Sequence, residues 1–244
     1  MKPIKLAANT VCVLVLGLGF LTAFKGDVLE VSEDYVEFRL GHYNLEIPRK
    51  NVISNSIPSW LRWLPGLDDG SNSALFLFKD REIKGSIPGY KYTKFSFRDD
   101  IEILAMILTP EEINRYKNPE TYSQLGDLWR NEGSYSDRKV EHYGSNGWYK
   151  VYRAIEYPHS WALLNRYPET ENPLPESTLE FWVAHCLEFH PNDGKHVSCT
   201  SHVLFDDILI EFDISEYNIV VINEIRNYLQ ITVKNWIKED HRNL

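Results

Sequence analysis

The sequence lacks the motifs that identify many enzymes. It contains no G-x-S-x-G nucleophile elbow, no G-x-G-x-x-G loop and no P-loop. It also has no C-x-x-C pair and no H-E-x-x-H helix, the spacings typical of zinc sites. We therefore expect no catalytic residues, no cofactor and no bound metal ion. An envelope hydrolase with scattered catalytic residues is the enzyme alternative.

Basic charge is scarce as well. Three of the 26 basic residues and none of the 35 acidic residues precede Asp27, so residues 27–244 carry a net charge of −12. Nucleic acids and anionic lipids are bound through basic surfaces, so this charge disfavours both as partners. It suits either a basic protein partner or simple solubility.

Glycine-rich linkers, low-complexity segments and internal repeats are also absent. Aromatic residues are abundant instead, with 7 Trp, 14 Tyr and 11 Phe. Residues 27–244 are long enough for one sizeable domain or two small ones. We expect one folded domain over this range.

The amino-terminal segment carries the strongest location signal. The run from Leu6 to Phe24 is apolar, with three polar interruptions at Asn9, Thr10 and Thr22. A helix of this length reaches roughly 28 Å, close to the hydrocarbon thickness of a bilayer. Lys2 and Lys5 precede it and place the amino terminus in the cytoplasm. The sequence thus predicts a cytoplasmic tip at 1–5, a transmembrane anchor at 6–24 and a periplasmic domain at 27–244.

A cleaved signal peptide is the alternative to an anchor. Cleavage requires small residues before the cut, and cuts after Ala23 or Gly26 would put Leu21 or Phe24 at the minus-three position. A lipoprotein would need a cysteine just after the apolar run, whereas Cys12 lies within it. We therefore predict an uncleaved anchor in the inner membrane. A buried amino-terminal helix of a cytosolic protein is the third alternative.

The rest of the chain has the patterns of an α+β domain. Strand patterns recur along the sequence, at Val28–Leu40, Tyr43–Pro48, Ala74–Phe78, Tyr92–Phe97, Ile101–Leu108, Trp148–Ile155, Ser160–Asn165, Leu179–Phe189 and Val203–Phe212. Helix-start signals occur at Thr109-Pro110 and Asn118-Pro119, the second helix running to about Trp129. The clearest helix is the last, whose apolar face comprises Ile222, Ile225, Leu229, Val233 and Trp236. We predict a mostly antiparallel sheet covered by this carboxy-terminal helix.

Cys186 and Cys199 flank a hairpin pattern. A turn centred on Asn192-Asp193 makes the two cysteines directly opposed, at the separation that a disulfide needs. We predict a Cys186–Cys199 bridge, with Cys12 inert. The alternative is a zinc site drawn from these two cysteines and four histidines, His185, His190, His196 and His202. Strand alternation disfavours it, because His185 and Cys186 point to opposite faces, and the histidines are then expected at the surface or edge of the hairpin.

Two further features have a functional and a structural interpretation. Ser59–Gly66 contains Trp60, Arg62 and Trp63, the residue types that dominate binding hot spots, so its functional interpretation is a contact with a partner protein. Its structural interpretation is a short helical turn that packs into the core. Asp206-Asp207 is an acidic pair, but neighbours on a strand point apart, while a glycosidase needs carboxylates that face each other across a cleft. We interpret it as a bulge or polar rim of a strand.

Phe38–Pro48 resembles the opening of immunity proteins that protect bacteria from type VI secretion lipase effectors. In those proteins a short strand, a Gly-x-Tyr turn and a strand ending in proline follow an export segment. The carboxy-terminal part, with its Cys-hairpin-Cys, the strand Asp207–Phe212 and a final amphipathic helix, is similar to small exported bacterial proteins.

The resemblance implies a non-enzymatic inhibitor that binds a secreted toxin stoichiometrically and blocks its active site or its motion. It transfers no functional residues. We therefore expect a membrane-anchored periplasmic protein that neutralises an antibacterial effector. An envelope structural or assembly factor is the alternative from a different class.

Overall fold

The computed structural model describes residues 34–52, 72–92, 100–169, 173–189 and 196–238. Within them lie ten β-strands: β1 (Tyr35–Leu40), β2 (Tyr43–Pro48), β3 (Ser73–Lys79), β4 (Asp100–Ile107), β5 (Arg138–Tyr143), β6 (Trp148–Arg153), β7 (Tyr157–Leu164), β8 (Trp182–Phe189), β9 (His196–Phe205) and β10 (Ile208–Ser215). The α-helices of the same residues are α1 (Asp80–Ser86), α2 (Pro110–Lys117), α3 (Leu125–Arg130) and α4 (Ile222–Trp236). Short 3-10 turns lie at Arg49–Asn51, Gly133–Tyr135, Thr178–Glu180 and Glu216–Val221.

Eight strands form one antiparallel sheet in the order β3-β4-β10-β9-β8-β7-β6-β5. The strands β1 and β2 form a separate hairpin. From β5 to β10 each strand pairs with the next along the chain, as in a meander. The exception is β4, which pairs with β10. The predicted class, an α+β fold with a mostly antiparallel sheet and a carboxy-terminal helix, is confirmed.

Helix α4 packs on one face of the sheet. All five residues predicted for its apolar face are buried. Trp236 stacks on Phe78 at 5.4 Å between ring centroids and meets Phe76 edge-on, also at 5.4 Å. Alternate residues of β10, such as Ile210 and Phe212, are buried in the same core. Period-two strands and a period-3.6 helix thus bury matching apolar faces.

The β1–β2 hairpin joins this core beside the end of α4. Leu40, Leu45 and Ile47 are fully buried in it. The two strands are joined by a turn at Gly41-His42, where Gly41 has a φ of +56°. A Cβ at Gly41 would lie 2.8 Å from the side chain of Ile107, so both the backbone conformation and the space require glycine.

A second, smaller core lies between α3 and the strands β6 to β8. Leu125, Leu128 and Trp129 of the helix pack with sheet residues that include Ala162 and Trp182. Val151, Ala162 and Leu164 alternate with residues buried on the α4 side, so this core belongs to the opposite face of the sheet. One face is therefore covered by α4, and the other is covered by α3 over part of its width.

A β-bulge in β8 is held by a partly buried cation. The register between β7 and β8 shifts at Val183, which leaves Val183 as the extra residue. Its carbonyl accepts hydrogen bonds from the Ser201 hydroxyl at 2.8 Å and from Arg226 Nη2 at 2.7 Å. Burial lowers the pKa of Arg226 to about 10, which still leaves the guanidinium charged at neutral pH. Helix α4 is thereby anchored to the centre of the sheet.

The predicted disulfide is present. Cys186 and Cys199 are directly opposed in the β8–β9 pair and form a bond, and both side chains are fully buried. Because both sulfurs are committed to this bond, neither is a thiolate for the zinc alternative. No group of three or more metal-ligating side chains occurs among the residues described.

Two sequence interpretations are wrong. Val203–Phe212 is not one strand with a bulge, since Asp206-Asp207 forms a two-residue turn between β9 and β10, with Asp206 at a φ of +51°. Aspartate tolerates this left-handed conformation better than most residues do. The segment from Asn118 does not form a helix at once, because Ser123 and Gln124 also have positive φ and α3 begins only at Leu125.

Some predictions fall outside the described residues. These are the apolar run 6–24, the motif of Trp60, Arg62 and Trp63, and His190. The first part of the Val28–Leu40 strand, all but the first residue of the Tyr92–Phe97 strand and the turn at Asn192-Asp193 also lie outside them. In the part of the chain that is described, no helix is long and apolar enough to cross a membrane.

We expect loss of the disulfide to destabilise the fold strongly. In the chain-entropy model, a disulfide between residues 13 positions apart raises the free energy of unfolding by about 3 kcal/mol. Denaturant unfolding of Cys186→Ala/Cys199→Ala should show that loss, with Cys12→Ala as the control that retains wild-type stability. Alkylation without reductant, followed by mass spectrometry, should find both cysteines unmodified, and labelling of both would contradict the bridge.

Candidate functional site

A cavity of about 310 Å³ lies on the sheet face opposite α4. One side is formed by the segment around α3, through Tyr122, Ser123, Leu125, Leu128 and Tyr135. The other side is the sheet itself, through Ala162, Trp182, His185, Thr200, His202 and Glu211. The cavity therefore combines apolar lining residues with several polar side chains, which is the usual composition of a binding site.

Strand register brings the polar side chains together. His202 lies opposite Glu211, and Thr200 lies opposite Asp213, in the β9–β10 pair. Thr200 also lies opposite His185 in the β8–β9 pair. Alternate residues of a strand share a face, so all five side chains are presented on the same side of the sheet. The hydroxyl of Thr200 donates a hydrogen bond of 2.5 Å to Asp213 Oδ1.

His202 is buried at the base of the cavity, with 3% of its surface exposed. Its ring stacks on Trp182 with the centroids 4.0 Å apart and packs edge-on against Tyr116 at 4.5 Å. Its Nδ1 lies 3.4 Å from the Tyr122 hydroxyl. Burial, reinforced by the charge of Arg226, lowers the pKa of His202 to about 2. The expectation that the histidines lie at the surface or edge is therefore wrong for His202, which the aromatic packing holds inside and uncharged.

Glu211 presents a carboxylate at this cavity. Burial raises its pKa, and the neighbouring charge of Asp213 raises it further. Among the residues that the structure describes, no basic side chain forms an ion pair with Glu211. The charge of Glu211 also raises the pKa of Tyr122, which burial already elevates, to about 12. The cavity thus contains a half-buried carboxylate among groups that are neutral or acidic.

Ser160 and His185 form a second polar pair on this face. Ser160 Oγ lies 2.8 Å from His185 Nε2, and burial lowers the pKa of the histidine. A serine next to a neutral histidine is the first part of a hydrolase site. A complete site also needs a group that orients the histidine. Among the described residues, no carboxylate forms a hydrogen bond with His185.

Beyond the cavity, the same sheet face carries exposed apolar side chains. Leu75 is 53% exposed, Leu187 is 38% exposed and Phe189 is 49% exposed. Half-buried apolar residues of this face lie on β3, β4 and β9: Leu77, Leu104, Met106 and Leu204. We call these seven residues the open face. Exposed apolar side chains interspersed with polar ones on one face are typical of protein–protein contact sites.

A larger, shallower cavity of about 880 Å³ lies near the β6–β7 end of the sheet. Tyr149 and Tyr167 line it, with their rings 5.2 Å apart, and Arg166 and Glu180 lie at its rim. The guanidinium of Arg166 is 3.6 Å from the Glu180 carboxylate. Because these charges already neutralise each other, this cavity is the weaker candidate.

The residues singled out from the sequence overlap with this site only at His185 and His202, which belonged to the zinc alternative. Cys186 and Cys199 lie on the α4 face and support the site from behind, while Trp60, Arg62 and Trp63 lie outside the described residues. The sequence reasoning missed Tyr122, Glu211 and the burial of His202. The register argument used for the cysteines would have placed His202 opposite Glu211, had Asp206-Asp207 been recognised as a turn.

No protein-family model matches the chain, and no curated protein matches it. One solved structure that is similar is Smlt3025, an immunity protein of the Stenotrophomonas maltophilia type IV secretion system. The two chains are 10% identical with a TM-score of 0.47, over 85% of this chain and 94% of that chain. The secretion system in that description is type IV, whereas the sequence resemblance was to proteins of type VI. A likeness at this level carries no conclusion about what this chain binds.

The burial of His202 predicts a loss of stability in acid. An unfolded chain protonates this ring below about pH 6.5, whereas the folded protein resists protonation until about pH 2. The free energy of unfolding should therefore fall as the pH drops below about 6.5, with a slope approaching about 1.4 kcal/mol per pH unit from this group. Denaturant unfolding between pH 7.5 and 4.5 measures it.

His202→Phe keeps a ring against Trp182 but removes the titrating group, so its slope should be flatter than that of the wild type. Glu211 acts in the opposite direction, since its raised pKa lets the folded state bind a proton first. This contribution is present in both proteins. His142→Phe, the same change at an exposed position, is the control. Equal slopes for wild type and His202→Phe would contradict the assignment.

Proposed function

We propose that the protein binds a secreted antibacterial effector and neutralises it, as an immunity protein tethered in the periplasm by residues 6–24. In its specific form, the proposal is that the partner is a type VI lipase effector, as the resemblance of Phe38–Pro48 implies. Binding alone is sufficient for such a role, so the site needs complementarity to a partner rather than catalytic groups.

The observation that carries the proposal is the open face. From β3 to β8 it crosses four inter-strand spacings, or about 19 Å, which is wide enough for a standard protein interface. The acidic side chains of Glu211 and Asp213 lie on the same face as its exposed leucines. An apolar surface combined with acidic groups suits a partner whose contact surface is apolar and basic.

The disulfide supports the compartment. Bonds of this kind persist in oxidising environments such as the bacterial periplasm and are rare in reducing cytosol. The fully buried Cys186–Cys199 bridge is therefore suited to a domain on the far side of the inner membrane. The apolar run 6–24, with Lys2 and Lys5 before it, supplies the tether in this proposal.

The decisive experiment is protection. Each protein encoded by the genes flanking this one is directed to the periplasm of a sensitive strain, with and without the full-length protein, and survival is counted to identify an effector. We expect wild-type protein to restore growth and to co-purify with that effector. Absence of both protection and binding at micromolar concentration would reject the proposal and favour an envelope assembly factor.

Adding positive charge to the open face is a sharper test of this surface as the contact site. Leu75→Arg/Leu187→Arg adds two cations where the partner is expected to be basic and apolar, and it should abolish protection. Ile231→Arg introduces the same residue at a site that is 49% exposed on α4, on the other side of the sheet, and should protect as the wild type does. Equal protection by both variants would exclude the open face as the contact.

A hydrolase is the second candidate, favoured by the 2.8 Å contact between Ser160 and His185. If Ser160 were a nucleophile, a fluorophosphonate probe should label wild-type protein and not Ser160→Ala. For the immunity function we expect no labelling, and Ser160→Ala should protect cells as well as the wild type. Labelling that depends on both Ser160 and His185 would favour the enzyme.

A further inference from the structure

The cavity between α3 and the sheet has the features of a pocket for one cationic side chain. Its apolar lining comprises Leu125 and Leu128 on the α3 side and Ala162 on the sheet side. Its walls include Tyr122 and Trp182, whose rings are perpendicular with centroids 6.0 Å apart. The apolar lining would contact the methylene groups of a cationic side chain, and the aromatic rings would contact a flat polar head group.

The charged groups around the cavity are acidic. Glu211 lines it, and Asp213 lies on the same face one alternation further along β10. His202 and His185 also line the cavity, and burial lowers the pKa of each, so neither adds positive charge at neutral pH. Arg226 lies on the α4 side, where it is held by Val183 and Ser201. A cation entering the cavity from the open face would therefore meet a carboxylate, and no Lys or Arg of the described residues lines the cavity.

We propose that this cavity receives an arginine side chain of the partner protein, with Glu211 as the carboxylate that binds its guanidinium. This inference rests on the proposed function, because it names the chemistry by which the effector is held. The cavity adjoins the open face, so an inserted arginine would lie inside a larger apolar contact. Buried arginine anchors of this kind dominate the energetics of many interfaces.

Arginine fits better than lysine for physical reasons. The guanidinium is planar, packs against aromatic rings and binds a carboxylate through two parallel hydrogen bonds. It is also more weakly hydrated than an ammonium group, so it loses less on entering a half-buried site. Partial burial of the Glu211 carboxylate without an ion-pair partner costs free energy in the free protein, and a bound cation removes that cost.

The test uses N-acetylarginine amide as the probe, added at millimolar concentrations to the full-length protein in a non-ionic detergent. Binding is followed by NMR through the indole N–H of Trp182, assigned with Trp182→Phe. We expect a saturable shift with the arginine probe, a clearly weaker one with N-acetyllysine amide, and none with N-acetylcitrulline amide, the neutral analogue.

Glu211→Gln should weaken binding of the arginine probe about tenfold or more, since it removes a charge-assisted contact. This variant should fold at least as well as the wild type, because it removes a half-buried charge, and thermal unfolding checks that. Glu224→Gln removes an exposed carboxylate of α4 and should bind the probe as the wild type does.

Three results of the binding experiment would overturn the inference: no saturable shift, equal shifts with citrulline, or equal binding by Glu211→Gln. Equal binding of lysine would overturn the assignment to arginine. Protection of cells separates this inference from the proposed function. If wild type and Glu211→Gln protect equally, the pocket is not the anchor and the immunity function stands; if the wild type does not protect, the immunity function itself fails.

Discussion

The β8–β9 pairing at the centre of the sheet is the constraint on which the site depends. The Cys186–Cys199 bond fixes this pairing covalently, and the two-residue turn at Asp206-Asp207 fixes the register of β10 against β9. A slip of one residue would move His202 and Glu211 to the face covered by α4. The Val183 bulge, held by Arg226 and Ser201, fixes the other side of β8. Covalent, turn and hydrogen-bond constraints therefore all act on the strands that form the cavity.

Stability and binding make opposite demands at this cavity. His202 is held uncharged by the rings packed around it, and Glu211 is partly removed from water without a cation beside it. Both arrangements cost free energy in the isolated protein. The core on the other face, by contrast, is a continuous set of aliphatic and aromatic side chains that extends from the β1–β2 hairpin to α4. Such local conflict within an otherwise consistent fold is typical of functional sites.

Much of the fold was predictable from the sequence, because it depends on local periodicity. The five apolar positions of α4 and the opposition of the two cysteines follow from patterns within about 15 residues. The site was not predictable in the same way. It needs Tyr122, from a segment with two left-handed residues, to meet strands that follow much later in the chain. Single-sequence patterns do not report such long-range encounters, and an unrecognised turn at Asp206-Asp207 hid the pairing of His202 with Glu211.

The place of β10 between β4 and β9 has a consequence for how the molecule assembles. Ile107 pairs with Ile208, about a hundred residues later, so the β3–β4 ladder joins the large sheet only through a strand near the end of the chain. Long-range pairing of this kind slows folding, since a large loop must close before the contacts form. The earlier strands consequently remain an incomplete sheet until β10 has emerged. The large sheet is therefore completed by one of the last elements of the chain to be synthesised.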